Sequence, residues 1–449
     1  MSVKYTSAAR SQVSSIYIGD SALHTGLYLG GEAHRLLATG SFDARKNVRS
    51  LVDFVHVLFN ISGDPGMMAT SAFPAGDPDL RAWTTWNCAD FDRHCDVSYG
   101  GKKWDYVGQP SRDMYMGPLF GLVAAYDALG AFDEDRRELI RHDLVTWANE
   151  LVKKRTLPVR LVLNGLKLPV ENKEARFFIP ETADMVDGAI QIELSASNAG
   201  SGQVRGGRDF MPNPSLLFRQ FAALSSLPDI PRSSAALMVG GVIQAALHAT
   251  EGAPKYAVDR TALRAFYDSN SDAWGKAKDW IGVAASAGGT QHSCTAAYFG
   301  LGLAWLAGYT WGLLEQEPTT RADLFTRVID GKMWPDAQGH KNSVFTFQYG
   351  AMKKGAFSGM PLTDAVRQIT DFPAPPRVAV PKSGDCSPDA VEIGDRPVTY
   401  LTWHANPWSR SDSGNLAKTF PGHDYVEGYW LGRSSGFVDD DTPKTCLHP

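Results

Sequence analysis

The chain has 449 residues, 43% of them hydrophobic and 21% charged, which makes it globular, long enough to bury a large core, and neither disordered nor fibrous. A formal net charge of −5 with scattered basic residues leaves no electrostatic footprint for nucleic acid or for an anionic membrane surface. No apolar run reaches the roughly eighteen residues needed to span a bilayer, and "SAALMVGGVIQAAL" is short and contains Gln244.

The N-terminal stretch "MSVKYTSAARSQVSSIYIGD" lacks the apolar region of a signal peptide. The first predicted helix is "DSALHTGLYLGGEAHRLLATG", with Asp20 as N-cap and Gly40 just past its end. A second begins near Asp43, with Val48, Leu51, Val52, Val55 and Leu58 on one stripe and Arg45, Lys46, Arg49 and Asp53 opposite. After a long polar loop, Asp113 to Leu129 reads as an almost uncharged helix. Asp133 to Arg155 reads as an amphipathic one, capped by acids and closed by bases. "LPVRLVLNGLKLP" is a hairpin with Asn164-Gly165 at its turn. Helical signals return at Pro214 to Leu224, Ser233 to Thr250, from His292 onward, in "TTRADLFTRVIDGKMW", at Lys341 to Ala356 and at Leu362 to Ile369.

Uncharged helices thus alternate with amphipathic ones, and a helix apolar all round must be enclosed on every side. The alternation predicts an all-α fold, an (α/α) toroid of five or six hairpins with small β-hairpin insertions. It would span 1–375, with 376–449 as an irregular segment packed back on it. No fixed repeat period supports a solenoid. In such a ring the inner helix N-termini gather at one end and offer N–H groups and positive potential to hydroxyl-rich or anionic ligands.

Five cysteines leave the redox state open. Cys88 and Cys95 lie in a polar loop, and Cys386 and Cys446 in the tail, where disulfides of an exported protein would sit, with Cys294 a free thiol inside a helix. The alternative is five reduced thiols, and no pair has the CxxC spacing that structural zinc prefers.

"DSALHTGLYLGGEAHRLLATGSFDARKNVRSLVDFVHVL", "SGDPGMMA", "SRDMYMGPLFGLVAAYDAL" and "DYVEGYWLGRSSGFV" resemble the helical-toroid domains of bacterial six-hairpin glycosidase-like proteins. The likeness covers roughly the first third and the last few tens of residues. It implies a glycoside hydrolase or a polysaccharide lyase, often exported, acting on a poly- or oligosaccharide, and it implies no cofactor. Architecture alone does not give the substrate.

Glycoside hydrolysis uses two carboxyl groups across the scissile bond. Asp113 is the first candidate, at a predicted helix N-terminus beside Arg112, which would keep it ionised, and close to Tyr115 as a substrate contact. Asp20 and His24 share one helix face at i, i+4 spacing, as second carboxylate and proton carrier. The stretch from Arg81 to Asp113 interleaves Trp83, Trp86, Tyr99, Trp104 and Tyr106 with Asp90, Asp92, His94 and Asp96. Aromatic faces beside acids suit a sugar-binding wall, with Asp90 or Asp92, like Asp20 and Glu193, a candidate partner for Asp113. "DFDRHCD" has the oxygen density of a calcium loop without the EF-hand pattern, so no metal site is assigned.

Glu193 is a candidate acid, followed by the glycine-rich "NAGSGQVRGGRD", a lid candidate that is no phosphate loop. His292 would stand at an inner-helix rim, and His404, between Trp403 and Trp408, would close over the pocket. A lyase on the same scaffold would draw on Arg112, Tyr115, His292 and Asn198. A non-catalytic glycan-binding or effector protein is the reading from another class.

Overall fold

The computed structural model describes residues 2–194, 203–210, 233–269, 281, 294, 298–354, 357–373, 377–384, 386–403, 405–410, 412 and 414–439. Strands β1 (Ser2–Tyr5) and β2 (Val13–Tyr17) lead into α1 (Ser21–Thr39) and α2 (Phe42–Asn60). α1 stops at Gly40, whose φ of 62° makes it a left-handed cap with its N–H on the Leu36 carbonyl. α2 is capped by the Ser41 hydroxyl, which accepts from the Ala44 N–H.

The stretch read as a polar loop is structured. It holds β3 (Ser71–Pro74), α3 (Pro78–Trp83), β4 (Arg93–Tyr99) and β5 (Lys102–Val107), which form a sheet in the order β3-β5-β4. A 3-10 turn, Arg112–Tyr115, then precedes α4 (Met116–Leu129), so Asp113 stands one turn before the α-helix, and α5 (Glu134–Val152) follows. Strands β6 (Arg155–Leu163) and β7 (Leu166–Ala175) pair about Asn164 and Gly165, at φ 48° and 86°, as a two-residue turn requires. β8 (Phe178–Pro180), β9 (Ile190–Leu194), β10 (Gln203–Arg205) and β11 (Gly207–Asp209) come next among the described residues.

Helices α6 (Ser233–Ala249), α7 (Ala257–Ser269), α8 (Phe299–Leu314), α9 (Pro318–Leu324), α10 (Trp334–Ala337), α11 (Ser343–Met352) and α12 (Met360–Thr370) follow, with a π-helical stretch from Phe325 to Met333. The tail is not irregular: it carries β12 (Arg377–Ala379), β13 (Asn415–Phe420) and α13 (His423–Ser434). The predicted helix at Pro214 to Leu224 lies outside the described residues.

The strands overturn the expectation of an all-α (α/α) toroid. Of the described residues about 52% are helical and 19% lie in strands, the strands form four separate small sheets, and no toroid is identified: the fold is mixed α/β. Most of the strands are too short for a period of two to stand out, and their partners are remote in sequence. β13, for example, pairs with β1, Val3 opposite Thr419.

The uncharged helices are uncharged because neighbours enclose them. α4 is buried along almost its whole length. It lies parallel to α1 at backbone contact: a Cβ on Gly26 would meet the Gly117–Pro118 peptide, and one on Gly117 would meet the Leu23 carbonyl. On its other flank α1 lies parallel to α13, where His24 meets His423 and His34 meets Ser434. α2 and α5, the charged helices, are tied by Arg45 to Asp133 and Arg136 to Asp53, both at 2.8 Å. In the tail, Arg377 and Asp424 form an ion pair at 2.6 Å with both side chains fully buried.

Two disulfides join Cys88 to Cys95 and Cys294 to Cys386. Cys294 is therefore bridged where a free thiol was expected. Cys446 lies outside the described residues. No described helix is long and apolar enough to cross a membrane.

Candidate functional site

The β4–β5 hairpin turns at Gly100 and Gly101, both at positive φ, and the pairing set by this turn shifts by one residue before His94, which comes to lie opposite Tyr106. A bulge between His94 and Val97, with Asp96 at φ 55°, then bends β4. The His94 ring stacks on Tyr106, centroids 4.3 Å apart and planes within 13°. Arg81 on α3 holds the Asp105 carboxylate of β5 at 2.6 Å, fastening the short helix to the hairpin.

Two acids come to His94 from the segment after β8. Glu181 precedes a 3-10 turn, Thr182–Asp184, that ends on Asp184, and Asp64 secures the turn by accepting from the Thr182 N–H and hydroxyl at 3.0 and 2.9 Å. His94 Nε2 is 3.0 Å from Asp184 Oδ1 and 3.9 Å from Glu181 Oε1. Among the described residues this is a group that offers one nitrogen and two carboxylates to a cation, all within 4.8 Å of one another. Burial, and then the neighbouring Asp184, push the Glu181 carboxyl well above the ordinary carboxylate range. Sequence reasoning named His94 and Tyr106 as part of a sugar-binding wall, and did not name Glu181 or Asp184. Their one signal was the i, i+3 spacing of acids after a proline in "IPETAD".

Gly108, at the end of β5, forms a wall common to this cluster and to an open cleft of about 400 Å³. Tyr17, Thr70, Thr84, Thr85, Asp92, Arg93 and Ser111 are among the residues that line the cleft, which lies at the N-terminal ends of α1 and the turn before α4. The Arg93 guanidinium stacks over Trp86 at 4.9 Å. Tyr17 donates to Asp20 Oδ2 at 3.3 Å. Burial, then the charges of Asp20 and Asp113, raise the Tyr17 phenol above its ordinary value, so it remains a donor at neutral pH. Asp20 and Asp113, 93 positions apart in the chain by their numbering, thus act on one phenol in the cleft wall.

Several other candidates have structural occupations. Asp20 makes no side-chain cap to α1. His24 is buried, stacked on Tyr400 at 4.2 Å and hydrogen-bonded through Nδ1 to His423 Nε2 at 2.8 Å. Tyr115 is fully buried, its hydroxyl accepting from the Met68 N–H at 3.0 Å, which makes it core. Asp90 is exposed and held by Asn87 at 2.9 Å. Glu193 on β9 is held by Gln191 and Arg205 and does not line the cleft. Trp86 donates to Cys95 Sγ, Trp104 donates to the Tyr99 carbonyl, and Trp83 and Arg112 are half-buried nearby. Asn198, His292 and His404 lie outside the described residues.

Comparison with family models, with curated proteins and with solved structures finds no match.

Proposed function

We propose that the chain is a carbohydrate-active enzyme that hydrolyses glycosidic bonds of an oligo- or polysaccharide held in the cleft at the N-terminal ends of α1 and α4. The observation that supports this reading is a cleft beside the N-terminal end of α1, where Tyr17 in the wall donates to Asp20, and beside the turn that carries Asp113. Two carboxyl groups flanking a binding space are what glycoside hydrolysis requires, one as acid and the other as base or nucleophile. A volume of about 400 Å³ falls in the range of small-ligand sites. Thr84, Thr85 and Ser111 supply hydroxyls for sugar recognition, and the Tyr17 hydroxyl, its proton on Asp20, supplies an acceptor.

One observation favours a second reading, a lyase acting on a uronate-containing glycan. Arg93 lines the cleft, and its Nε and one terminal nitrogen have no hydrogen-bond partner among the described residues. A guanidinium is the group that would neutralise a uronate carboxylate. The raised Tyr17 phenol argues against its serving as the lyase base.

A panel of neutral and acidic polysaccharides, read in parallel for reducing ends and for absorbance of unsaturated uronates, tests the reading. Reducing ends without absorbance, falling by roughly a thousandfold or more in Asp113→Asn and Asp20→Asn, are expected. Absorbance that survives both substitutions would establish the lyase. Binding without turnover would remove the enzyme reading.

A further inference from the structure

We infer that His94, Glu181 and Asp184 form a binding site for one divalent transition-metal ion of the Zn²⁺ or Mn²⁺ class, a site distinct from the glycan cleft and separated from it by Gly108. The inference does not depend on whether the cleft is catalytic.

Both oxygens of Asp184 are buried and have no hydrogen-bond donor among the described residues, and the side chain is fully buried. Glu181 accepts the Gln109 N–H on Oε2 at 2.8 Å, which leaves Oε1 on the His94 side. His94 Nε2 is likewise buried without a hydrogen-bond partner, although Asp184 Oδ1 is only 3.0 Å away, because the alignment is not that of a hydrogen bond. The nearby Arg208 spends its terminal nitrogens on the Val204 and Gln109 carbonyls. Two carboxyl groups and a ring nitrogen therefore face one another with no lysine or arginine bonded between them. Isolated buried charge of that kind is costly.

A single shared proton serves two of the three atoms, whereas a cation serves all of them. Residue 108, which stands against all three atoms, is glycine. A Cβ there would lie within 3.0 Å of Asp184 Oδ2, Glu181 Oε1 and His94 Nε2 alike, so the three atoms aim at one place that no side chain occupies. Gly108 is itself pinned, its N–H on the Asp92 carbonyl at 2.8 Å and its carbonyl accepting from the Thr70 hydroxyl at 3.1 Å. Ligand atoms spread over up to 4.8 Å close on an ion with bonds of about 2.1 Å after small side-chain rotations. Imidazole with carboxylate selects Zn²⁺ or Mn²⁺ over Ca²⁺ and Mg²⁺, which prefer all-oxygen sets. The stacked Tyr106 ring fixes the imidazole orientation, and the Asp64 bonds fix the acids, which supplies the outer support that metal ligands need.

The experiment is calorimetric titration of the chelator-treated full chain with ZnCl₂, and separately with MnCl₂ and CaCl₂, in two buffers of different ionisation enthalpy. One equivalent of Zn²⁺ is expected to bind, more tightly than Mn²⁺, with Ca²⁺ weakest, and with proton release visible as a buffer-dependent heat, since a ligated carboxylate must be ionised. Asp184→Asn, Glu181→Gln and His94→Gln should each weaken binding by at least the roughly 10–100-fold that loss of an outer partner alone costs. Asp90→Asn, just before β4 and outside the cluster, should bind as wild type. Far-UV circular dichroism establishes which variants fold, and the half-buried His94→Gln serves if the buried acids are not tolerated. No Zn²⁺ uptake by wild type, or equal uptake by any folded ligand variant, overturns the inference and leaves the acids sharing a proton.

Discussion

Replacing Gly26 by alanine tests the packing that brings α1 and α4 together. The new methyl would meet the backbone of Gly117 and Pro118 at a distance more than an ångström inside ordinary van der Waals contact, and backbone cannot rotate out of the way. The helices must part by about 1 Å. A gap of that size forfeits a quarter to a half of each contact along the seam, in addition to the roughly 1–3 kcal/mol that overpacking costs. Alanine's helix propensity returns about 1 kcal/mol. The net loss is about 2–4 kcal/mol. With an unfolding entropy near 2.1 cal/mol/K per residue, 1 kcal/mol is about 1 °C of Tm for 449 residues, so scanning calorimetry should show a fall of about 2–4 °C. Gly300, near the start of α8 with nothing within 4 Å of where a Cβ would stand, is the control. Its alanine variant should be unchanged or up to about 1 °C more stable. If Gly26→Ala melts with wild type, the backbone contact between α1 and α4 is not as described.

Breaking the buried Arg377–Asp424 pair with Arg377→Met should cost about 3–5 kcal/mol, because it strands a carboxylate with no exposure. The double variant Arg377→Met, Asp424→Leu should recover much of that, and a urea midpoint for the single variant close to wild type would contradict the pairing. His34, fully buried against α13, has its pKa lowered to about 4 by burial. The unfolded chain takes up a proton below about pH 6.5 that the folded ring refuses, so stability falls as pH drops from 6.5 toward 4 and the effect levels off below that. The slope is about 1.4 kcal/mol per pH unit, up to about 3 kcal/mol in all. His34→Gln should flatten the pH dependence of Tm across that window by about one proton, and an unchanged slope would remove His34 as its source.

Helices were legible where the periodicity ran long and the cap residue carried its own signal. Gly40 ends α1 because glycine takes the left-handed angle that the cap needs, and Asn164-Gly165 turns β6 into β7 for the same reason. Gly100-Gly101 carries an equally strong turn signal, but the aromatic and acidic residues around it read as a loop, and β4 and β5 were passed over. Within the site, composition singled out His94, Tyr106, Asp92, Asp20 and Asp113. Glu181 and Asp184 stayed hidden, since an acid pair becomes unusual only when tertiary structure buries it, and burial is not written in four residues. Tyr115 and His24 show the converse: polar side chains at promising positions whose bonds go to the interior.

The flank of α1 that receives α13 has a history in time. His34 meets Ser434 across 400 positions of chain, whereas the α4 seam at Gly117 is complete some ninety residues after Gly26. At about 5–20 residues per second of synthesis, one side of the helix is covered within seconds and the other stays open for roughly 20–80 s. Throughout that interval Gly31 and its neighbours present a nascent surface shaped for a partner not yet made, a period in which a molecular chaperone or a misplaced helix can occupy it.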